Sequence, residues 1–165
     1  ETGVCVTCKG GEILSSDEAG IPDGTSILVE NLFFNTPARR KFLKKDATEA
    51  GYITDIMTRF IFAHPEISFK LIIDNKEKLF SPGDNSLENS VYTVYGRDYA
   101  KGTIPVEYES DGIKITGLIG KGTLARPKRN YQSFFVNRRY ITKTVSVLRC
   151  WLWQYCRFLR LELFC

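Results

Sequence analysis

The sequence predicts an α+β fold, in which short hairpins and amphipathic helices follow one another along the chain. Apolar residues occupy alternate positions from 67 to 73, and Asp74 and Asn75 then supply a turn into a second short strand. That pattern is typical of an antiparallel hairpin with one buried face. Between Asp46 and Ile61 the apolar residues instead recur at three- and four-residue intervals, which predicts an amphipathic helix of about four turns.

The remaining elements follow from local signals on either side of these two. A hairpin is expected over 4–7 and 13–14, and a strand over 26–32 that ends at Asn35, Thr36 and Pro37, where a basic helix begins. The loop 81–85 is the most turn-like run and a candidate domain boundary. A short helix over 86–95 ends at Gly96, and three strands are expected at 104–108, 113–119 and 131–137.

Charge is distributed unevenly. Residues 121–143 carry seven basic side chains and no acid, whereas the remaining 16 basic and 19 acidic residues give a net charge of −3. Such asymmetry indicates a polyanionic partner, since lysine and arginine bind phosphates without reading bases. We predict a DNA-binding surface made by Arg126, Lys128, Arg129, Asn137, Arg138 and Arg139.

Several function classes have little support. Cys5 and Cys8 lie on opposite faces of a strand, and no second such pair or histidine pair completes a metal site, so no metal ligands are predicted. The single histidine, His64, has no nucleophile beside it, and no catalytic residue is predicted. No secretory signal is visible, and residues 148–165 are too polar to span a membrane, so we expect a cytoplasmic protein, nucleoid-associated in a bacterium.

Two segments resemble a known family. Residues 24–43 resemble, without a gap, the strand and loop that close the ATPase domain of MutL-type DNA mismatch repair proteins. Residues 131–141 are similar to the Q-x-x-F-V-N-G-R segment of the same family, with Arg138 in place of its glycine. Gly24 and Thr25 align with the last motif of that ATPase, where a threonine hydroxyl supports the network around adenine.

The resemblance implies a particular architecture. In this family a GHKL ATPase domain is joined to a transducer domain with the ribosomal-S5-domain-2-like fold. Residues 1–82 would then be the C-terminal part of the GHKL sandwich, and residues 83–147 part of the S5-like domain. Residues 148–165 do not resemble the family, and two interpretations stay open for them: a buried helix, or a non-native end.

The resemblance also implies a function for an intact protein. Such a protein would bind and hydrolyse ATP with Mg, bind DNA without sequence preference, form a homodimer through its N-terminal region and act with other mismatch repair proteins. This chain lacks the motifs that supply the general base, the magnesium ligand and the glycine-rich lid. We therefore expect a fragment that binds ATP and Mg only weakly, through Gly24 and Thr25, and that has no ATPase activity alone.

Two alternatives belong to other classes. One is the S5-like domain of another GHKL protein, a type II topoisomerase subunit, although the Asn35-Thr36-Pro37 loop argues against it. The other is an RNA-binding S5-like domain, which would prefer RNA to duplex DNA in direct competition.

Overall fold

The structure, a computed structural model, describes residues 2–124 and 131–141, together with the backbone of residues 156–163. The chain divides into two compact units, Glu1–Lys45 and Asp46–Cys165, each of which is described by itself. Helices and strands occur in both units, as an α+β fold requires. Across the described ranges, no helix is long and apolar enough to cross a membrane.

The first unit contains one hairpin and one short helix. Strands β1 (Gly3–Lys9) and β2 (Glu12–Ala19) pair antiparallel, as predicted but over more residues. Gly10 and Gly11 form the turn with φ values of +66° and +99°, which glycine adopts at little cost. Helix α1 (Pro37–Phe42) begins on a proline, whose missing N–H would be unpaired there in any residue.

The strand predicted over residues 26–32 is wrong for this structure. That segment is irregular, and the side chains of Ile27 and Leu28 are 81% and 83% exposed. A strand needs a neighbour that takes up its backbone hydrogen bonds. Among the described residues of this unit, β1 and β2 pair only with each other, so the apolar pattern of 26–32 has no sheet to join.

The second unit holds the larger set of elements. They are α2 (Asp46–Ala63), β3 (Phe69–Ile73), β4 (Lys76–Ser81), α3 (Leu87–Tyr95), α4 (Arg97–Lys101), β5 (Thr103–Ser110), β6 (Ile113–Gly120), a 3₁₀ turn (Gly122–Leu124), β7 (Ser133–Val136), β8 (Arg139–Tyr140) and β9 (Cys156–Leu163). Apart from α4, the 3₁₀ turn, β8 and β9, these elements match the helices and strands that the sequence predicts.

Local signals explain most of these boundaries. Asp74 and Asn75, with φ values of 51° and 59°, close the β3–β4 hairpin in the left-handed conformation that such two-residue turns require. Ser86 caps α3 by accepting a hydrogen bond from the Asn89 N–H at 3.2 Å. Gly96, with φ +86°, ends the same helix.

Five strands form one sheet in the order β5-β6-β9-β7-β8. Strand β9 lies in the middle, antiparallel to β6 and parallel to β7. Of the two interpretations left open for 148–165, the buried helix is therefore wrong for residues 156–163, while 148–155 lie outside the described residues. Leu159, Leu161 and Leu163 alternate with Arg160 and Glu162, a period of two that suits a strand.

The core of the second unit lies between the sheet and helices α2 and α3. Phe62, Val91, Leu118 and Phe135 are each at most 3% exposed. The ring of Tyr95 stacks on Phe62 with centroids 5.8 Å apart. Further side chains pack around this cluster: Leu87, Val94, Tyr99, Ala100 and Tyr140.

Helix α2 is buried mainly at its C-terminal end. Ile61, Phe62 and Ala63 are buried, whereas Ile53 and Ile56 on the predicted apolar face are each 49% exposed. The last turn of α2 is therefore the part that anchors this helix in the core, and it leads directly into the loop that carries Glu66.

Candidate nucleic-acid interface

The β7–β8 hairpin brings three of the predicted DNA-binding residues to one tip. Val136 pairs with Arg139 in register, so Asn137 and Arg138 form a two-residue turn between the strands. Their φ values are 47° and 65°, the left-handed conformation at both positions that defines a type I′ turn. Asparagine tolerates this conformation, whereas arginine pays a steric cost of about 1 kcal/mol or more.

All three residues at this tip are exposed. Asn137, Arg138 and Arg139 follow one another without an intervening buried position. Within the described part of the chain, no carboxylate lies within ion-pair distance of Arg139. The tip therefore presents two adjacent guanidinium groups at the β8 edge of the sheet.

The base of the hairpin is fixed against the core. The Tyr140 ring packs edge-on against Phe135, with centroids 5.6 Å apart, and the Arg59 guanidinium of α2 lies 4.3 Å from the centre of the Tyr140 ring. The Ile141 N–H also donates to the Phe134 carbonyl at 2.9 Å. These contacts fix the course of the backbone on both sides of the turn.

A carboxylate from a distant segment reaches Arg138. Nη1 of Arg138 donates to Oε1 of Glu66 at 2.7 Å, and the same oxygen lies 3.2 Å from Nδ1 of His64. The Arg138 and Glu66 side chains are 51% and 34% exposed. This ion pair joins the loop after α2 to the hairpin tip across 72 positions of sequence.

The loop that carries Glu66 is itself held in place. The Asn85 N–H donates to the Pro65 carbonyl at 3.0 Å, and the Ser68 hydroxyl donates to the Ser81 carbonyl at 3.0 Å. Gly83 allows this approach, because a Cβ atom at that position would lie 2.5 Å from the Ser68 nitrogen. Glu66 therefore projects from a backbone that other elements fix.

The environment of Glu66 favours its ionised form. Partial burial of the carboxyl acts to raise its pKa. A backbone N–H, the hydrogen bond with His64 and the positive charge of Arg138 act in the opposite direction, and together they lower the pKa of Glu66 below its usual range. At neutral pH the partner of Arg138 is thus a carboxylate.

The remaining predicted site residues fall into two groups. Arg126, Lys128 and Arg129 lie outside the described residues. Gly24 and Thr25 are exposed residues of the first unit, and Gly24 has a φ of +135°. One hydroxyl beside one glycine supplies too few donors to cradle a triphosphate. In the described ranges no three His, Cys, Asp or Glu side chains group as metal ligands would.

Two residues of this site were not predicted. Glu66 and Arg59 both contact the hairpin, but neither stands out in the sequence, because their partners are distant along the chain. The only sequence signal for such a contact is weak and comes from Arg138. An arginine at a position where the family has glycine needs some compensating contact.

Comparison with known proteins identifies the family. A family model described as the C-terminal domain of DNA mismatch repair protein matches residues 91–154. The DNA mismatch repair protein MutL of Agathobacter rectalis is 40% identical over 144 residues, which are 87% of this chain and 22% of that protein. MutL of Clostridium perfringens is 44% identical over 133 residues, which are 81% of this chain and 20% of that protein.

Solved structures give the same answer for the fold. The Aquifex aeolicus MutL ATPase domain complexed with ADP superposes with a TM-score of 0.77 at 28% identity, covering 99% of this chain and 62% of that one. The ATPase domain from the bacterial mismatch repair endonuclease Aquifex aeolicus MutL superposes with a TM-score of 0.72 at 26% identity, covering 98% and 62%. The α+β class is thereby confirmed, and the chain spans about a fifth of the length of the curated relatives that it matches. From its sequence and its fold together, this chain belongs to the MutL family of DNA mismatch repair proteins.

Proposed function

We propose that the tip of the β7–β8 hairpin, with the basic segment 121–143, binds the phosphate backbone of DNA without reading its sequence. One observation carries the proposal: Asn137, Arg138 and Arg139 are consecutive and exposed at the tip of a hairpin whose base is fixed. The surrounding segment holds seven basic residues and no acid.

The chemistry of these side chains suits phosphate. A guanidinium group presents N–H donors in a planar fork that matches two phosphate oxygens, and it stays charged at every physiological pH. Arg139 is the stronger contributor, because no carboxylate of the described residues neutralises it, whereas Arg138 is shared with Glu66. Contacts to phosphate fix position on the duplex and carry no sequence information.

Family membership supports a wider proposal for the intact protein. It would bind and hydrolyse ATP with Mg, form a homodimer through its N-terminal region, and act in the cytoplasm or on the nucleoid with other mismatch repair proteins. Residues 1–82 would complete the GHKL domain, with Gly24 and Thr25 at the nucleotide, and residues 83–147 would belong to the S5-like domain. The complex of the Aquifex aeolicus domain with ADP supports the nucleotide part of this proposal.

The test of DNA binding is the salt dependence of affinity. Anisotropy of a fluorescent duplex is measured with the 165-residue chain between 50 and 200 mM salt, using two duplexes of unrelated sequence. If about five phosphates are neutralised, the slope of log K against log salt is about −4.5, a loss of roughly 500-fold over that range. Both duplexes should give the same affinity and the same slope.

Three results would count against the proposal. An affinity that is insensitive to salt would exclude phosphate contacts as its source. A large difference between the two duplexes would indicate base reading. Displacement of the DNA by a lower concentration of RNA than of unlabelled duplex would favour the RNA-binding alternative.

A further inference from the structure

We propose that Glu66 competes with DNA phosphate for Arg138, so that the free protein masks this arginine and DNA binding releases it. The inference rests on the proposed DNA binding and specifies how that surface is regulated. Its basis is the ion pair between the hairpin tip and the loop after α2.

The geometry permits an exchange of partners. The Arg138 Nη1 to Glu66 Oε1 distance is 2.7 Å, yet half of the arginine side chain remains exposed to solvent. An anion can therefore approach the guanidinium without any opening of the core. A carboxylate and a phosphate both present paired oxygens to a guanidinium, so each satisfies the same donors.

The ion pair is not needed to hold the hairpin. The turn is fixed by the pairing of Val136 with Arg139, by the Ile141 to Phe134 hydrogen bond and by the packing of Tyr140 against the core. Loss of the Glu66 contact would therefore leave the backbone at the tip in place. What changes is the direction and availability of the Arg138 side chain.

The presence of arginine at position 138 also indicates a role beyond the ion pair. Arg138 has a φ of 65°, a conformation that a glycine adopts at much lower cost. A partly exposed ion pair contributes too little to account for arginine at a strained turn position. Contact with phosphate beside Arg139 would give the Arg138 charge a second role. That role accounts for an arginine at this position, which the ion pair with Glu66 does not.

The test uses two acid-to-amide variants with the same net charge. Glu66→Gln removes the competitor, and Glu77→Gln removes another exposed carboxylate, which pairs with Lys70 at 3.1 Å on the β3–β4 hairpin. With the labelled duplex, Glu66→Gln should tighten binding roughly 1.5- to 5-fold relative to Glu77→Gln, the fold-change that corresponds to an exposed ion pair.

The same pair of variants is then made with Arg138→Gln. This background should lower the magnitude of the salt slope by about 0.9, because one phosphate contact is lost. Glu66→Gln should then bind no tighter than Glu77→Gln. Loss of the difference only when Arg138 is absent shows that Glu66 acts through that side chain.

Several outcomes overturn the inference, and they separate it from the proposed function. If the wild-type chain binds with the expected salt slope but Glu66→Gln equals Glu77→Gln, only the competition fails. If Glu66→Gln weakens binding, Glu66 positions the arginine for DNA and does not mask it. If neither the wild type nor Glu66→Gln shows salt-dependent binding, both the function and the competition are refuted.

Discussion

Replacing Arg138 by alanine and by glycine separates backbone strain from the ion pair at the β7–β8 turn. Both substitutions remove the contact with Glu66, a partly exposed pair worth about 0.2–1 kcal/mol. Alanine keeps the steric cost of the left-handed conformation at φ 65°, about 1–2 kcal/mol, whereas glycine relieves it but loses about 0.5–1 kcal/mol more backbone entropy on folding. The Arg138→Gly variant should therefore have a free energy of unfolding about 0.5–1 kcal/mol higher than that of Arg138→Ala.

The assay is urea unfolding followed by the near-UV circular dichroism of the tyrosine cluster in the second unit. The matched controls are Asp55→Ala and Asp55→Gly, at an exposed position in the middle of α2. There the alanine variant should be the more stable protein by about 1 kcal/mol, because glycine is unfavourable inside a helix. The sign of the alanine–glycine difference thus reverses between the two sites. If the alanine variant is the more stable one at position 138 as well, the left-handed turn is not the conformation in solution.

Three further predictions concern ionisation and packing in the second unit. Burial, followed by the neighbouring tyrosines, raises the pKa of Tyr95 to about 12, so its contribution to stability is complete below pH 10 and is lost between about pH 10 and 12. In urea titrations, the free energy of unfolding should fall less at high pH for Tyr95→Phe than for the wild type, by up to about 3 kcal/mol. Tyr108→Phe, at an exposed position, should not reduce this fall. The pKa of Glu66 is lowered in the folded protein, so the ionised carboxylate stabilises the fold at neutral pH. This stabilisation disappears as the pH falls through the pKa of the folded state. Glu66→Gln should therefore show a shallower loss of thermal stability than the wild type between pH 6 and 3. Val91 is fully buried, and Val91→Ala should cost about 2 kcal/mol of unfolding free energy, whereas Ile72→Val at a site 55% exposed should cost less than about 0.5 kcal/mol.

The parts of the fold that the sequence predicts are those that local chemistry determines. The β3–β4 and β5–β6 hairpins are specified by short turn pairs, Asp74–Asn75 and Asp111–Gly112, that adopt positive φ. Helix α3 is bounded by Ser86, whose hydroxyl accepts a hydrogen bond from the Asn89 N–H, and by Gly96, which adopts a positive φ. These signals need no knowledge of distant residues.

The two wrong predictions both depend on distant partners. The segment 26–32 has the composition of a strand, but a strand forms only where a neighbouring strand pairs with it. The segment 156–163 is compatible with both a helical and a strand period, and its place between β6 and β7 selects the strand. Single-sequence patterns cannot supply that selection.

In the candidate site, too, the residues that are close in sequence were predicted and the long-range contacts were not. Charge clustering and the family-like segment predict Asn137, Arg138 and Arg139, which are consecutive in sequence. The contact of Arg138 with Glu66 spans 72 residues, and the contact of Tyr140 with Arg59 is also long-range, so neither could be anticipated. The loop and helix end that support the hairpin are consequences of the tertiary fold.

The most direct test of phosphate contact at the β7–β8 tip compares the salt slope of DNA binding for Arg139→Gln with that for Arg97→Gln. Both variants remove one exposed arginine, so their net charges are equal, but Arg97 lies on α4 and outside the basic segment. We predict that Arg139→Gln reduces the magnitude of the slope by about 0.9 and that Arg97→Gln leaves it unchanged. Equal slopes for the two variants would contradict the claim that the β7–β8 tip contacts DNA phosphate.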